Sequence, residues 1–195
     1  MDSTSVRTRT RALIRCAVCT ALLVVLGVFE IPLPLIPITL QTFAVTLCGA
    51  LLCPAEALAA TGTYVLLGAV GLPVYSGFTG GLGILAGPTG GFLIGFLPGV
   101  FFLSLLLNRG FKFVNRADSF RLDIIRLATG LVIFTFCTYA VGTLWFTVSY
   151  GTTIRAAFSL CVWPFLPGAA IKCSALLLLY PALAKIRPVL YSQTT

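Results

Sequence analysis

Six apolar runs, broken by short polar or glycine- and proline-rich segments, set the pattern along this chain: Ala12 to Phe29, Thr39 to Leu52, Ala55 to Val70, Gly91 to Leu107, Leu127 to Val148 and Phe158 to Ile186. A helix of about 20 apolar residues crosses a hydrocarbon core of about 30 Å. The pattern therefore predicts an all-α integral membrane protein with six transmembrane helices in one domain, residues 1–195. The second and third runs are short and separated only by "CPAE", which reads as a helical hairpin turning at Cys53 to Glu56, with Pro54 where the helix stops. The opposite side then carries "EIPLPLIPI", the glycine-rich stretch 71–90 and "SYGTTIRAAF". The polar residues 1–10 read as a flexible, frayed tail.

Composition agrees with the pattern. The chain is 58% hydrophobic and 9% charged, with a mean hydropathy of +1.05, so its natural solvent is membrane lipid. An arginine-rich start before an apolar run also describes a secretory signal peptide, but "GVFEIPLPLIP" offers no small-x-small cleavage site, and the run reads as a retained first span.

The net charge of +8 does not point to nucleic acid, because eleven of the thirteen basic residues sit in three clusters at the edges of apolar runs. These are Arg7, Arg9, Arg11 and Arg15; Arg109, Lys112, Arg116, Arg121 and Arg126; and Lys185 and Arg187. The positive-inside rule places all three in the cytoplasm, which requires an even number of spans between them; four plus two fits. Both termini and the basic loop 108–126 are then cytoplasmic, and 71–90 is extracytoplasmic.

Two basic residues lie outside the clusters, Arg155 in an outer loop and Lys172 inside the last span. An ionisable group at that depth is costly and faces a cavity, a partner or a substrate route, unless its long stem snorkels to the interface. No Asp or Glu lies in another span to pair with Lys172, so a ligand anion is the obvious partner. At the start of the second span Thr39, Gln41 and Thr42 can cap the helix or face a cavity. Gln41 offers both donors and acceptors that need partners if buried. Tyr64, Tyr139 and Trp145 suit either a ligand pocket or an interfacial belt.

"GLPVYSGFTGGLGILAGPTGGFLIGF" holds nine of the nineteen glycines and no charge. Its "GLGILA" is a weak nucleotide signal without a supporting strand, helix or acid, and the chain has no phosphate-cradling G-x-x-x-x-G-K-[ST] loop. At some twenty residues the stretch is long for a plain connection. It reads as a lid whose glycines let backbone approach a ligand. "CAVC" at Cys16 and Cys19 is helix filler rather than a metal or redox pair, and no cofactor or metal site emerges from a chain with no histidine. Catalysis lacks its parts, because Glu30, Glu56, Asp118 and Asp123 all fall at loop positions. Ala17 and Ala21 form a small-xxx-small pair that admits close helix packing, within the chain or against another subunit.

"PITLQTF", the glycine-rich segment, "YAVGTLWF" and "PFLPGAAIK", in that order, resemble the BioY family, the biotin-binding S component of energy-coupling-factor (ECF) vitamin transporters. The resemblance covers nearly the whole chain. It implies an S-component-like bundle of six helices in the bacterial plasma membrane, with the loop after the third helix closing over biotin. Two partner ATPases would drive uptake through a transmembrane coupling protein, packed against Ala17 and Ala21. Biotin offers an apolar bicycle, a ureido group and a carboxylate, so its pocket needs apolar walls, a few fixed polar groups and a cation. Lys172 is the candidate cation. Thr39, Gln41, Tyr139 and the backbone of Gly87, Pro88, Thr89, Gly90 and Gly91 are candidates for polar contacts; Tyr75, Phe78 and Trp145 are candidate walls. The family pattern P-G-D-x-x-K has Ala169 here in place of the Asp. That departure leaves open an S component for another vitamin or an anionic biotin precursor. An accessory membrane subunit that binds no small molecule is the rival from another class.

Overall fold

The computed structural model describes residues 3–32, 36–111 and 119–191. Its helices are α1 (Ser3–Gly27), α2 (Gln41–Leu51), α3 (Pro54–Ala69), α4 (Leu82–Ala86), α5 (Gly90–Phe111), α6 (Ser119–Tyr150), α7 (Ile154–Cys161) and α8 (Leu166–Tyr191). Two-residue strands β1 (Glu30–Ile31) and β2 (Ile38–Thr39) pair antiparallel between α1 and α2, with Glu30 opposite Thr39. Among the described residues four segments are long and apolar enough to cross a membrane, spanning 6–27, 90–108, 121–150 and 154–187. This is a multi-pass membrane protein.

The short hairpin forms as its sequence predicts. Pro54 occupies the first turn of α3, where its missing N–H costs nothing. At 11 residues α2 is only about 16 Å long. Side chains from α5 close the hairpin turn: Ser104 Oγ donates to the Leu52 carbonyl at 2.6 Å and Asn108 Nδ2 at 3.3 Å. The same end receives α1 through Arg15, whose Nε donates to Glu56 Oε2 at 3.1 Å while Nη2 meets Oε1. Glu56, expected at a loop, is thus a buried ion-pair partner in the first turn of α3. Cys16 and Cys19 lie along the same seam, and the thiols of Cys16 and Cys48 point at the carbonyls of Glu56 and Cys19.

Two expectations about element ends change. The amino-terminal segment is helical from Ser3, since no Gly or Pro interrupts it and its arginines are good helix formers. The last apolar run divides, because Thr153 caps α7 by accepting from the Ala156 N–H at 3.3 Å and a 310 turn at Trp163–Phe165 separates α7 from α8. The helix holding Lys172 therefore starts at Leu166 rather than Phe158. Much of the basic loop 108–126, including Lys112, Arg116 and Asp118, lies outside the described residues.

The main core gathers Leu23, Tyr64, Leu103, Leu127 and Leu176 from five helices. Helices α5 and α6 pack closest. A Cβ on Gly91 would lie 2.2 Å from Trp145 Cβ, and one on Gly95 would lie 3.0 Å from Thr138 Cα, so small residues one turn apart let the backbones approach. A smaller cluster of Ile36, Phe146, Ala157 and Cys161 sits at the end opposite the hairpin turn.

Candidate functional site

A cavity of about 940 Å³, counting its open mouth, lies at that opposite end. Ile36 to Thr39 and the first turn of α2 form one wall, and Tyr75, Ser76, Ile84 and Thr89 from the glycine-rich stretch form another. Phe92, Leu93 and Phe96 of α5, Phe134, Thr135, Thr138 and Tyr139 of α6, Phe165 of the 310 turn before the last helix, and Ala169, Lys172 and Cys173 of that helix complete it. Most of these side chains are apolar. Phe96 stacks on Phe134 at 6.0 Å between ring centroids, and Phe92 meets Tyr139 edge-on at 6.3 Å.

Lys172 supplies the cavity's cation. Its Nζ donates to the Thr39 carbonyl and, at 3.0 Å, to Thr42 Oγ1. Both acceptors are neutral, and among the described residues no carboxylate forms a salt bridge with it. An ammonium has three donors, so one N–H remains for a ligand. Ala169 lies one helical turn before Lys172 on the same cavity wall and brings no charge.

Gln41 is buried at the cavity edge. Thr39 Oγ1 donates to its Oε1 at 3.2 Å, and its Nε2 donates to Tyr64 Oη at 2.6 Å. Tyr64 does not line the cavity; it stands behind Gln41 and donates onward to the Val74 carbonyl at 3.1 Å. Tyr75 is buried beside it, their rings edge-on at 5.7 Å, and its hydroxyl donates to the Val65 carbonyl at 2.5 Å. Burial pushes the Tyr75 phenol up to about 12, so it stays a protonated donor at neutral pH. Thr138 Oγ1, on the cavity wall, is buried with no hydrogen-bond partner among the described residues, whereas neighbouring Thr135 bonds back to the Leu131 carbonyl at 2.8 Å.

Of the residues singled out from sequence, the cavity brings together Thr39, Gln41, Tyr75, Thr89, Tyr139 and Lys172. Phe78 is not a wall: it sits at positive φ, 58°, at the tip of a turn and is 70% exposed. Trp145 is not one either, because its indole N–H is turned to the Gly87 carbonyl at 3.0 Å and ties the glycine-rich stretch to α6. Gly87, Pro88, Gly90 and Gly91 also lie off the cavity, Gly91 being spent on the contact with Trp145. The walls are instead Phe92, Phe96, Phe134 and Phe165. Helical spacing carried the missing signal: Phe165, Ala169 and Lys172 share one face of the last segment, and Phe92 and Phe96 are one turn apart. Ala17 and Ala21 are exposed on the outer face of α1, so among the described residues no helix occupies their groove. Among the described residues no group of His, Cys, Asp and Glu could hold a metal.

Comparison with known proteins gives the same picture over the whole chain. The family model described as "BioY family" matches residues 1–189. "Biotin transporter BioY" of Thermotoga maritima is 40% identical over 156 residues, covering 80% of this chain and 85% of that protein. "Biotin transporter BioY2" of Lactococcus lactis subsp. cremoris is 34% identical over 182 residues, 92% of each. A crystal structure of the S-component for biotin from an ECF-type ABC transporter superposes with a TM-score of 0.79 at 26% identity, covering 95% of both chains. This chain belongs to the BioY family.

Proposed function

We propose that this chain is the biotin-binding S component of an ECF-type transporter, a carrier subunit and not an enzyme. It captures biotin from outside the bacterial plasma membrane and delivers it inward. The observation that carries the reading is the cavity itself, in which Lys172 meets only neutral oxygens inside largely apolar walls. A cation so placed favours a ligand with one carboxylate and an apolar body. Biotin has both. The family relatives, biotin transporters, and the solved S-component for biotin support it.

In this reading six helices cross the membrane, α1, α2, α3, α5, α6 and α8, with both termini cytoplasmic. Arg15 beside Glu56, and Ser104 and Asn108 on the Leu52 carbonyl, gather the hairpin turn and the basic ends of α1 and α5 at one face. The cavity faces the other way. Segments 36–39 and 71–90 cover the ligand together, since both contribute wall residues. The chain holds no nucleotide or cofactor; two ATPases act through a transmembrane coupling protein, which docks on the exposed Ala17 and Ala21 face. Uptake of labelled biotin by bacteria lacking their own biotin carrier tests the whole reading. Accumulation is expected when this chain is produced with coupling protein and ATPases. Its absence, with the protein correctly inserted, would overturn the reading. One observation favours a second reading, an anionic relative of biotin as cargo: Ala169 leaves the wall beside Lys172 without a carboxylate. Competition of that relative against labelled biotin separates the two.

A further inference from the structure

We infer that Tyr64 is a positioning residue for the ligand pocket: from outside the cavity it fixes which way round the carboxamide of Gln41 faces the ligand. A carboxamide can turn over and exchange donor for acceptor at little cost unless its partners forbid it. Here they do. The Val74 carbonyl only accepts, so the Tyr64 hydroxyl must donate to it, at 3.1 Å. The Tyr64 oxygen is then left to accept, and the Gln41 group 2.6 Å away must be the NH2. Oε1 consequently lies on the Thr39 side, where the Thr39 hydroxyl donates to it at 3.2 Å. One N–H of Gln41 and a lone pair on its carbonyl remain for a ligand, each at a set position.

The chain of bonds also leaves the pocket. Val74 belongs to the glycine-rich segment, and Tyr64 Oη lies against α1, where a Cβ on Gly27 would come within 2.7 Å of it. Gly27 therefore leaves the hydroxyl room to occupy this position. Tyr64 is fully buried and makes no cavity wall, so its hydroxyl acts on a ligand through Gln41 and not by contact.

The inference rests on the biotin-binding reading for its consequence, but the orientation itself is testable without ligand. The sequence has two glutamines, Gln41 and Gln193, so protein labelled with 15N at glutamine side chains gives two NH2 groups by NMR. Tyr64→Phe is expected to move the Gln41 pair and leave the Gln193 pair in place, and Gly27→Ala to reproduce the shift from the α1 side. Biotin binding to the same purified full-length protein supplies the second arm. Tyr64→Phe is expected to raise Kd by about 3- to 10-fold, the size of one neutral hydrogen bond. In a Gln41→Leu background it is expected to add nothing further. An unmoved Gln41 pair overturns the inference, as does an equal loss of affinity in both backgrounds. If the intact protein fails to bind biotin while the Gln41 pair still shifts, the biotin reading fails and the orienting role stands.

Discussion

Gly68→Ala is a small change whose sign is set by one contact. Gly68 lies in the last turn of α3, and a Cβ there would fall 2.1 Å from Tyr75 Cζ and 2.2 Å from Cε1. Carbon atoms pack at about 3.5–4.0 Å, so the ring must retreat by about 1.5 Å. That retreat breaks the hydrogen bond from the Tyr75 hydroxyl to the Val65 carbonyl. Alanine in place of glycine gains up to about 1 kcal/mol of helix propensity. Overpacking costs about 1–3 kcal/mol and the lost bond about 0.5–1.5 kcal/mol. The contact wins, and a net destabilisation of about 1–3 kcal/mol is expected. Because Tyr75 also lines the cavity, biotin affinity should fall with stability. Thermal melting and biotin binding of the purified variant in detergent check this, with Tyr75→Leu as the relieving partner. Adding Gly68→Ala to Tyr75→Leu should cost little, since the obstructing ring is gone. The reasoning is refuted if Gly68→Ala melts at or above the parent and binds equally well. The Tyr75 phenol has its pKa raised from 10.0 to about 12, so its contribution is whole below about pH 10 and lost as the pH climbs through about 12. The Gly68→Ala defect should therefore be flat between pH 6 and 9.

Glu56→Gln leaves the Arg15 guanidinium, whose side chain is 9% exposed, without its counter-charge, and should cost about 3–5 kcal/mol in unfolding; Arg15→Met with Glu56→Leu should recover most of it. Equal damage in single and double variants would argue against the pair. Trp145→Phe removes the indole N–H from the Gly87 carbonyl and should speed biotin dissociation several-fold while leaving the melting temperature nearly unchanged; an unchanged dissociation rate would free the glycine-rich stretch from this tether. Ala17→Leu with Ala21→Leu, both on the exposed face of α1, should leave biotin binding by the isolated chain intact but abolish co-purification with a coupling protein. Retained co-purification would move the docking face elsewhere.

The membrane class, the short hairpin and Lys172 were legible in the sequence because each follows from a local rule: apolar run length, a proline stop, a charge out of place. Gln41 and Tyr139 followed from polar groups on apolar helices, and Thr39 from a polar group just before one. The phenylalanine walls were not legible that way, because Phe92, Phe96 and Phe134 look like any lipid-facing residue until the close approach of α5 and α6 turns them inward, and Phe165 reaches the cavity from a 310 turn that the apolar run does not mark. Phe78 and Trp145 show the reverse error. Their type suggested a wall, but a positive-φ turn exposes one and a backbone carbonyl claims the other. The split between α7 and α8 was hidden because the 310 turn at Trp163–Phe165 is as apolar as the helices it separates. Glu56 was misread for want of its partner, since Arg15 is 41 residues away in sequence.

Equilibrium binding of biotin to the purified chain, with Lys172→Met measured beside it, tests the central claim most directly. Tight binding by the intact protein is expected, weakened by about 10- to 100-fold in the variant, the size of one hydrogen bond to a charged group. Biotin methyl ester, which lacks the anion, should show little difference between the two. Failure of the intact, folded protein to bind biotin would contradict the account, and so would a Lys172→Met variant that binds it as tightly as the parent.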